Sequence, residues 1–119
     1  MLDIDMEFKK GILMVRLNGI LNGDTVELLK RDFEMIIKNN GIKYVLLNLK
    51  NLKYIDNYGL KAIENSYKQI IENKGKLIIC GINKLFDKNN ILTENLYQVN
   101  EEVTAYKIVN IWKKKQKFC

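Results

Sequence analysis

Tyr54-Ile55-Asp56-Asn57-Tyr58-Gly59-Leu60 joins two segments of different hydrophobic period, and the architecture of the chain follows from reading it as a strand-to-helix junction. Upstream, Tyr44-Val45-Leu46-Leu47-Asn48-Leu49 is a nearly continuous apolar run, the pattern of a parallel strand covered on both faces. Downstream, Leu60, Ile63, Tyr67, Ile70 and Ile71 recur at three- and four-residue spacing and predict one apolar helix face. Asp56 or Asn57 can cap that helix, a side-chain oxygen accepting from backbone N–H groups that otherwise lack partners. Gly59 falls in the first turn, where glycine is unfavourable, so it signals close approach or an unusual backbone angle. The plain reading is an ordinary capped loop that serves only the fold.

Moving outward, Met6-Glu7-Phe8-Lys9 alternates, Lys10-Gly11 can turn, and Ile12 to Leu17 is strand-like with Leu13, Val15 and Leu17 on one face. A hairpin results. Residues 18–23 read as a loop, and Asp24 with Glu27 forms a capping-box pattern opening a helix with Val26, Leu29, Phe33 and Ile37 inward. Asn39-Asn40-Gly41 should stop that helix, and Asn73-Lys74-Gly75 the one after Asp56. Leu77-Ile78-Ile79-Cys80 predicts another buried strand. Asn83 can cap a short helix through Leu85 and Phe86, and Leu96-Tyr97-Gln98-Val99 reads as a short strand. Asn100-Glu101-Glu102 opens a last helix striped by Ala105, Ile108, Val109 and Trp112, which reads as core. Strands alternating with helices imply an α/β fold with a mixed, mostly parallel sheet of roughly four to five strands, an N-terminal hairpin and about four helices. Function in such folds gathers at loops beyond the carboxyl ends of strands, where the Asp56 loop lies.

The chain has 119 residues, enough for one domain spanning residues 1–119 with a three-layer core. Its hydrophobic fraction of 47% and lack of proline mark a folded chain. No apolar run reaches membrane-spanning length, and Met1-Leu2-Asp3-Ile4-Asp5 lacks the basic start of a signal peptide. The cytoplasm is therefore the expected location. A net charge of +6 raises the question of nucleic acid, yet only Arg16 and Arg31 are arginines and most lysines are scattered singly. Lys113, Lys114, Lys115 and Lys117 cluster at the end of the last predicted helix, where cations complement the macrodipole. They read as a solvated helix end, with neither direct nucleic-acid binding nor membrane insertion expected.

Histidine is absent, which removes the commonest general base and metal ligand. No CxxC, GxxxxGK[ST] or GxGxxG spacing occurs, and Asp56 is the sole acid in the central loop. Neither an enzyme nor a metal or cofactor site is expected. Cys80 ends an apolar strand and Cys119 ends the sequence, a pattern that suits free thiols in a reducing compartment.

In order along the chain, several features resemble those of STAS domains, the fold of bacterial anti-sigma factor antagonists. They are Ile4-Asp5-Met6, Leu17-Asn18-Gly19, Thr25 and Leu29, Val45-Leu46-Leu47-Asn48-Leu49, Ile55-Asp56-Asn57-Tyr58-Gly59-Leu60, Gly75-Lys76 and Leu85-Phe86. The most specific part is the apolar strand followed by Asp-x-x-Gly-Leu. The resemblance implies a non-enzymatic binding domain whose partner is an anti-sigma factor of the serine-kinase type or a related regulatory protein. In that family the kinase phosphorylates a loop serine or threonine, and only the unphosphorylated domain binds the partner and frees the sigma factor. An alternative is a STAS subunit of a larger assembly, such as a lipid-transport ATPase or a stress-signalling complex.

Two departures, at Tyr58 and Asn22, bear on that switch, and a third, at Asn90, is one that asparagine's tolerance of left-handed angles accommodates. The usual Asp-Ser-Ser-Gly-Leu is here Asp56-Asn57-Tyr58-Gly59-Leu60, with Tyr58 at the phosphorylation-site equivalent. Asn22 replaces the usual acid before the first helix, and Asn90 stands near a common glycine. The expected docking surface comprises Asn22, Gly23, Asp24, Asp56, Asn57, Tyr58 and Gly59. Tyr58 would hold a phosphate far from the backbone and is not expected to be phosphorylated, but its half-apolar ring suits an interface anchor. Alternatively, it packs on its own domain.

Overall fold

A computed structural model describes residues 1–38, 42–81, 97–99 and 101–117. Strand β1 (Leu2–Lys9) pairs antiparallel with β2 (Ile12–Leu21), and helix α1 (Val26–Lys38) leads into β3 (Tyr44–Ile55). Helix α2 (Asn57–Glu72) connects to β4 (Lys76–Cys80), and β5 (Tyr97–Val99) and α3 (Glu102–Lys117) follow. The sheet has five strands in the order β1-β2-β3-β4-β5, parallel from β2 onward. This is the predicted mixed α/β sheet with an N-terminal hairpin. Three helices lie among the described residues. The predicted helix at Asn83, Leu85 and Phe86, the stop at Asn39-Asn40-Gly41, Asn90 and Cys119 all lie outside them.

Burial on both faces explains the continuous apolar runs. Leu13, Val15, Leu47 and Ile79 face α1 and α2, whereas their neighbours Met14, Leu46 and Ile78 face α3. Alternate side chains of one strand thus enter two cores, so no position between Tyr44 and Leu47 is free to be polar. On α1 the inward residues are Val26, Leu29, Phe33 and Ile36. The side chain of Ile37, the expected fourth member, is outside the described set. On α2, Leu60, Ile63 and Ile70 are buried with Ala62 and Ser66, and Tyr67 is half-buried. Ile71, expected on that face, is instead 43% exposed, because the next residue around the helix turns past the stripe set by Ile70. On α3, Ala105 and Val109 are buried, with Ile108 and Trp112 packed against the same cluster.

Two strands run farther than their hydrophobic pattern suggests. β2 continues to Leu21 rather than ending at Leu17, and β3 to Ile55 rather than Leu49. Their distal halves pair across register shifts at Arg16/Asn18 and Gly19/Ile20, which let Leu21, Leu52 and Ile55 reach the core. The predicted capping box is also replaced. The Asp24 N–H bonds to Asn22 Oδ1, and Asn22's carbonyl accepts from Thr25 and Val26, so Asn22 organises the helix entry. Glu27 pairs with Lys30 instead.

Candidate functional site

Leu21 and Ile55 are the last paired residues of β2 and β3, so the segments beyond them leave the sheet side by side. Asp56 fastens the two. Its backbone N–H donates to the Leu21 carbonyl at 3.2 Å. Its Oδ1 accepts from the Gly59 N–H at 2.9 Å and caps α2, resolving the choice between Asp56 and Asn57. Its Oδ2 accepts from the Gly23 N–H at 3.2 Å, in the neighbouring loop. One carboxylate therefore links a helix N-terminus to the segment preceding another helix.

The neighbouring loop is fixed from its own side. Thr25 Oγ1 accepts from the Asn22 N–H at 2.9 Å and donates to the Ile20 carbonyl at 2.9 Å. Gly59 is buried, and a methyl group there would lie 2.6 Å from the Leu21 carbonyl oxygen. Its α2 position carries no positive φ, so close approach, not backbone angle, explains this glycine. Tyr58 is 69% exposed. Its ring leans towards Gly23, where a Cβ would come within 3.4 Å of Cδ2.

All seven predicted residues meet at this end of the sheet, but they divide by role. Gly59 is internal, and Asp56, half-buried, spends both oxygens on the loops. Gly23, Asp24, Asn57 and Tyr58 are what the surface presents. Tyr54, three positions before Asn57 and half exposed, adds an aromatic that periodicity alone did not mark, because it is the penultimate residue of a strand longer than expected.

Sequence reasoning also missed a polar cluster on the α3 side. Arg16 Nε and Nη2 donate to both oxygens of Glu102 at 2.9 and 2.7 Å, while Nη1 reaches Asp5 and Nη2 Glu7. Asn48 Nδ2 donates to Glu102 at 2.8 Å. The Arg16 hydrogen bonds hold the Glu102 carboxyl below the usual range against the opposing effect of burial. Only the fold brings these residues together, across 86 positions of sequence, so no local signal could reveal them. Burial pushes the Cys80 thiol up to about 12, which makes it a poor nucleophile. Among the described residues no cluster of carboxylates and thiols is arranged to hold a metal ion, and no helix is long and apolar enough to cross a membrane.

Residues 3–88 match the STAS domain family. The chain belongs to the STAS family. It is 34% identical over 82 residues to an anti-sigma F factor antagonist of Paenibacillus polymyxa, covering 69% of this chain and 70% of the relative. The STAS fold is shared with the anti-sigma factor antagonist SpoIIAA in its unphosphorylated form, at a TM-score of 0.77 and 16% identity over 91% of this chain and 98% of that one. An anti-sigma factor antagonist from Mycobacterium paratuberculosis gives a TM-score of 0.80 at 14% identity, over 92% and 95% of the two chains.

Proposed function

We propose that this STAS domain is a non-enzymatic regulator that binds an anti-sigma factor through the paired loops and so releases a sigma factor. The observation that carries the reading is Tyr58, a 69%-exposed aromatic on a helix start held by two hydrogen bonds to one carboxylate. A rigid, amphipathic ring loses little entropy on docking, and Gly23 beside it leaves room for a partner to approach. Gly23, Asp24 and Asn57 form the polar surround. The relatives' names supply the partner class.

The site lacks the aliphatic hydroxyl that the kinase of this family phosphorylates. A phosphate adds nearly two negative charges to a docking surface and expels a partner that had buried a small hydroxyl. With Tyr58 in that place the switch is lost, and binding is constitutive or set by protein abundance.

Capture of partners from the native cell, identified by mass spectrometry and followed by calorimetry with the purified partner, tests the reading. Tyr58→Ala should weaken binding by more than about 1 kcal/mol, roughly fivefold, with domain stability nearly unchanged. Equal affinity of variant and parent would remove this surface from the interface. Stable recovery of an ATPase or stress-signalling complex in place of an anti-sigma factor would make the domain a subunit of that assembly.

A further inference from the structure

Lysines that are far apart in sequence converge on one end of the molecule. The register Ile12↔Tyr44↔Lys76 aligns the amino ends of β2, β3 and β4. Lys10 lies in the turn before β2, Lys43 immediately precedes β3, and Lys76 opens β4. Lys74 follows the end of α2, which packs on the same sheet. The last turns of α3 bring Lys113 and Lys114 there, and Lys113 Nζ donates to the Lys10 carbonyl. Five of these six lysines are exposed and Lys113 is half-buried.

Their partners are not acids. Lys43 donates to the Asn73 carbonyl at 3.1 Å, and Lys76 lies over the Trp112 ring at 5.5 Å from its centroid. Among the described residues none of the six is ion-paired with a carboxylate. Among the described residues, Glu34 and Glu72 line the groove between α1 and α2 beside Lys38, on the opposite side of the sheet from α3, and Glu7 near the β1–β2 turn is paired with Arg16. The C-termini of α1, α2 and α3 all lie at this end. Each offsets only about half a charge, so most of the positive field remains uncompensated.

Chemistry distinguishes what such a field attracts. Nucleic-acid surfaces that read bases or clamp phosphates favour the arginine fork, and no arginine belongs to this group. Ile111, 51% exposed and one turn before Lys114, puts an aliphatic side chain on the exposed surface of α3 beside that lysine. Lysine-rich surfaces with an exposed aliphatic residue suit the interface of an acidic bilayer, where each lysine gains from the surface potential and the apolar group enters the headgroup boundary. We propose that this basic end is a peripheral docking surface for an anionic phospholipid bilayer. The paired loops at Asp56 occupy the carboxyl ends of β2 and β3, so a domain held this way presents them away from the membrane.

Sedimentation with vesicles tests this without any protein partner. Phosphatidylcholine vesicles with about 30% phosphatidylglycerol should retain the domain, pure phosphatidylcholine should not, and raising salt from about 0.05 to 0.3 M should weaken binding at least about tenfold. Lys74→Glu with Lys114→Glu should cost about tenfold or more, with an unchanged circular dichroism spectrum confirming the fold. Lys53→Glu with Lys61→Glu makes the same change in net charge away from this end and should retain most binding. No retention on anionic vesicles at low salt, equal loss from both pairs of substitutions, or tighter binding to duplex DNA than to vesicles at equal salt and phosphate would overturn the proposal.

Discussion

A methyl group at position 59 would lie 2.6 Å from the Leu21 carbonyl oxygen and 2.7 Å from Ile55 Cγ1. The first of these is backbone in a paired strand, so it cannot swing aside as a flexible side chain would. Gly59→Ala should therefore destabilise the domain by about 1–3 kcal/mol, read as a lower urea midpoint at unchanged slope. A change below about 0.5 kcal/mol would show that the strand ends yield. Hydroxyl chemistry is decided at the same scale. Thr25 and Ser66 are only 9% and 4% exposed, and both hydroxyls are bonded to backbone carbonyls, of Ile20 and Ala62. Neither can enter a kinase cleft without local unfolding. Incubation with the partner and magnesium ATP should thus leave the intact mass unchanged, whereas stoichiometric phosphate on Tyr58 or Thr25 would refute the loss of the switch. Tyr58→Ser should restore an acceptor if the partner remains an active kinase and accepts Asn22.

Among the elements, α2 ends in a left-handed residue that is not glycine. Lys74 has φ 63°, its N–H bonds to the Ile71 carbonyl, and the Gly75 N–H bonds to that of Ile70. Gly75 is fixed by space, since a Cβ there would lie 2.8 Å from the Lys43 carbonyl oxygen. Lysine is left with the strained angle. Lys74→Gly should raise stability by about 0.5–1 kcal/mol, visible as a higher thermal midpoint; a fall would mean that unfolded-chain entropy outweighs the relieved strain. Helix α3 is held at its start by Glu102, which meets Arg16 and Asn48. Because folding lowers the Glu102 pKa, its contribution is full at pH above the ordinary carboxylate value and fades as pH falls through the folded value. Glu102→Gln should cost about 1–2 kcal/mol at about pH 7, a figure held down by partial exposure, and much less at about pH 3. Equal cost at both, in denaturant titrations, would assign the effect to shape rather than charge.

For the whole molecule, two surfaces at opposite ends of one sheet should act independently. Removing residues 113–119 should leave capture of the proposed partner intact, since the described ties of the loop pair run through Leu21, Gly23 and Gly59 at the other end of the sheet. Loss of capture in a truncated domain that still folds would place the partner partly at the basic end. The amino-acid sequence by itself determined the element order, the hairpin, the two-faced strands and a cap at Asp56 or Asn57, because these rest on periodicity and on partners a few residues away. The resemblance to STAS domains named the seven loop residues, and their meeting at one end depends on the pairing of β2 with β3. Tertiary structure decided what depends on register and on contacts across the chain. It extended β2 and β3 through shifted pairing, buried Gly59 while leaving Tyr58 exposed, and joined Arg16 to Glu102. It also turned singly scattered lysines into one basic end. In sequence Lys10, Lys43 and Lys76 lie 33 residues apart, and only the parallel register of three strands makes them neighbours.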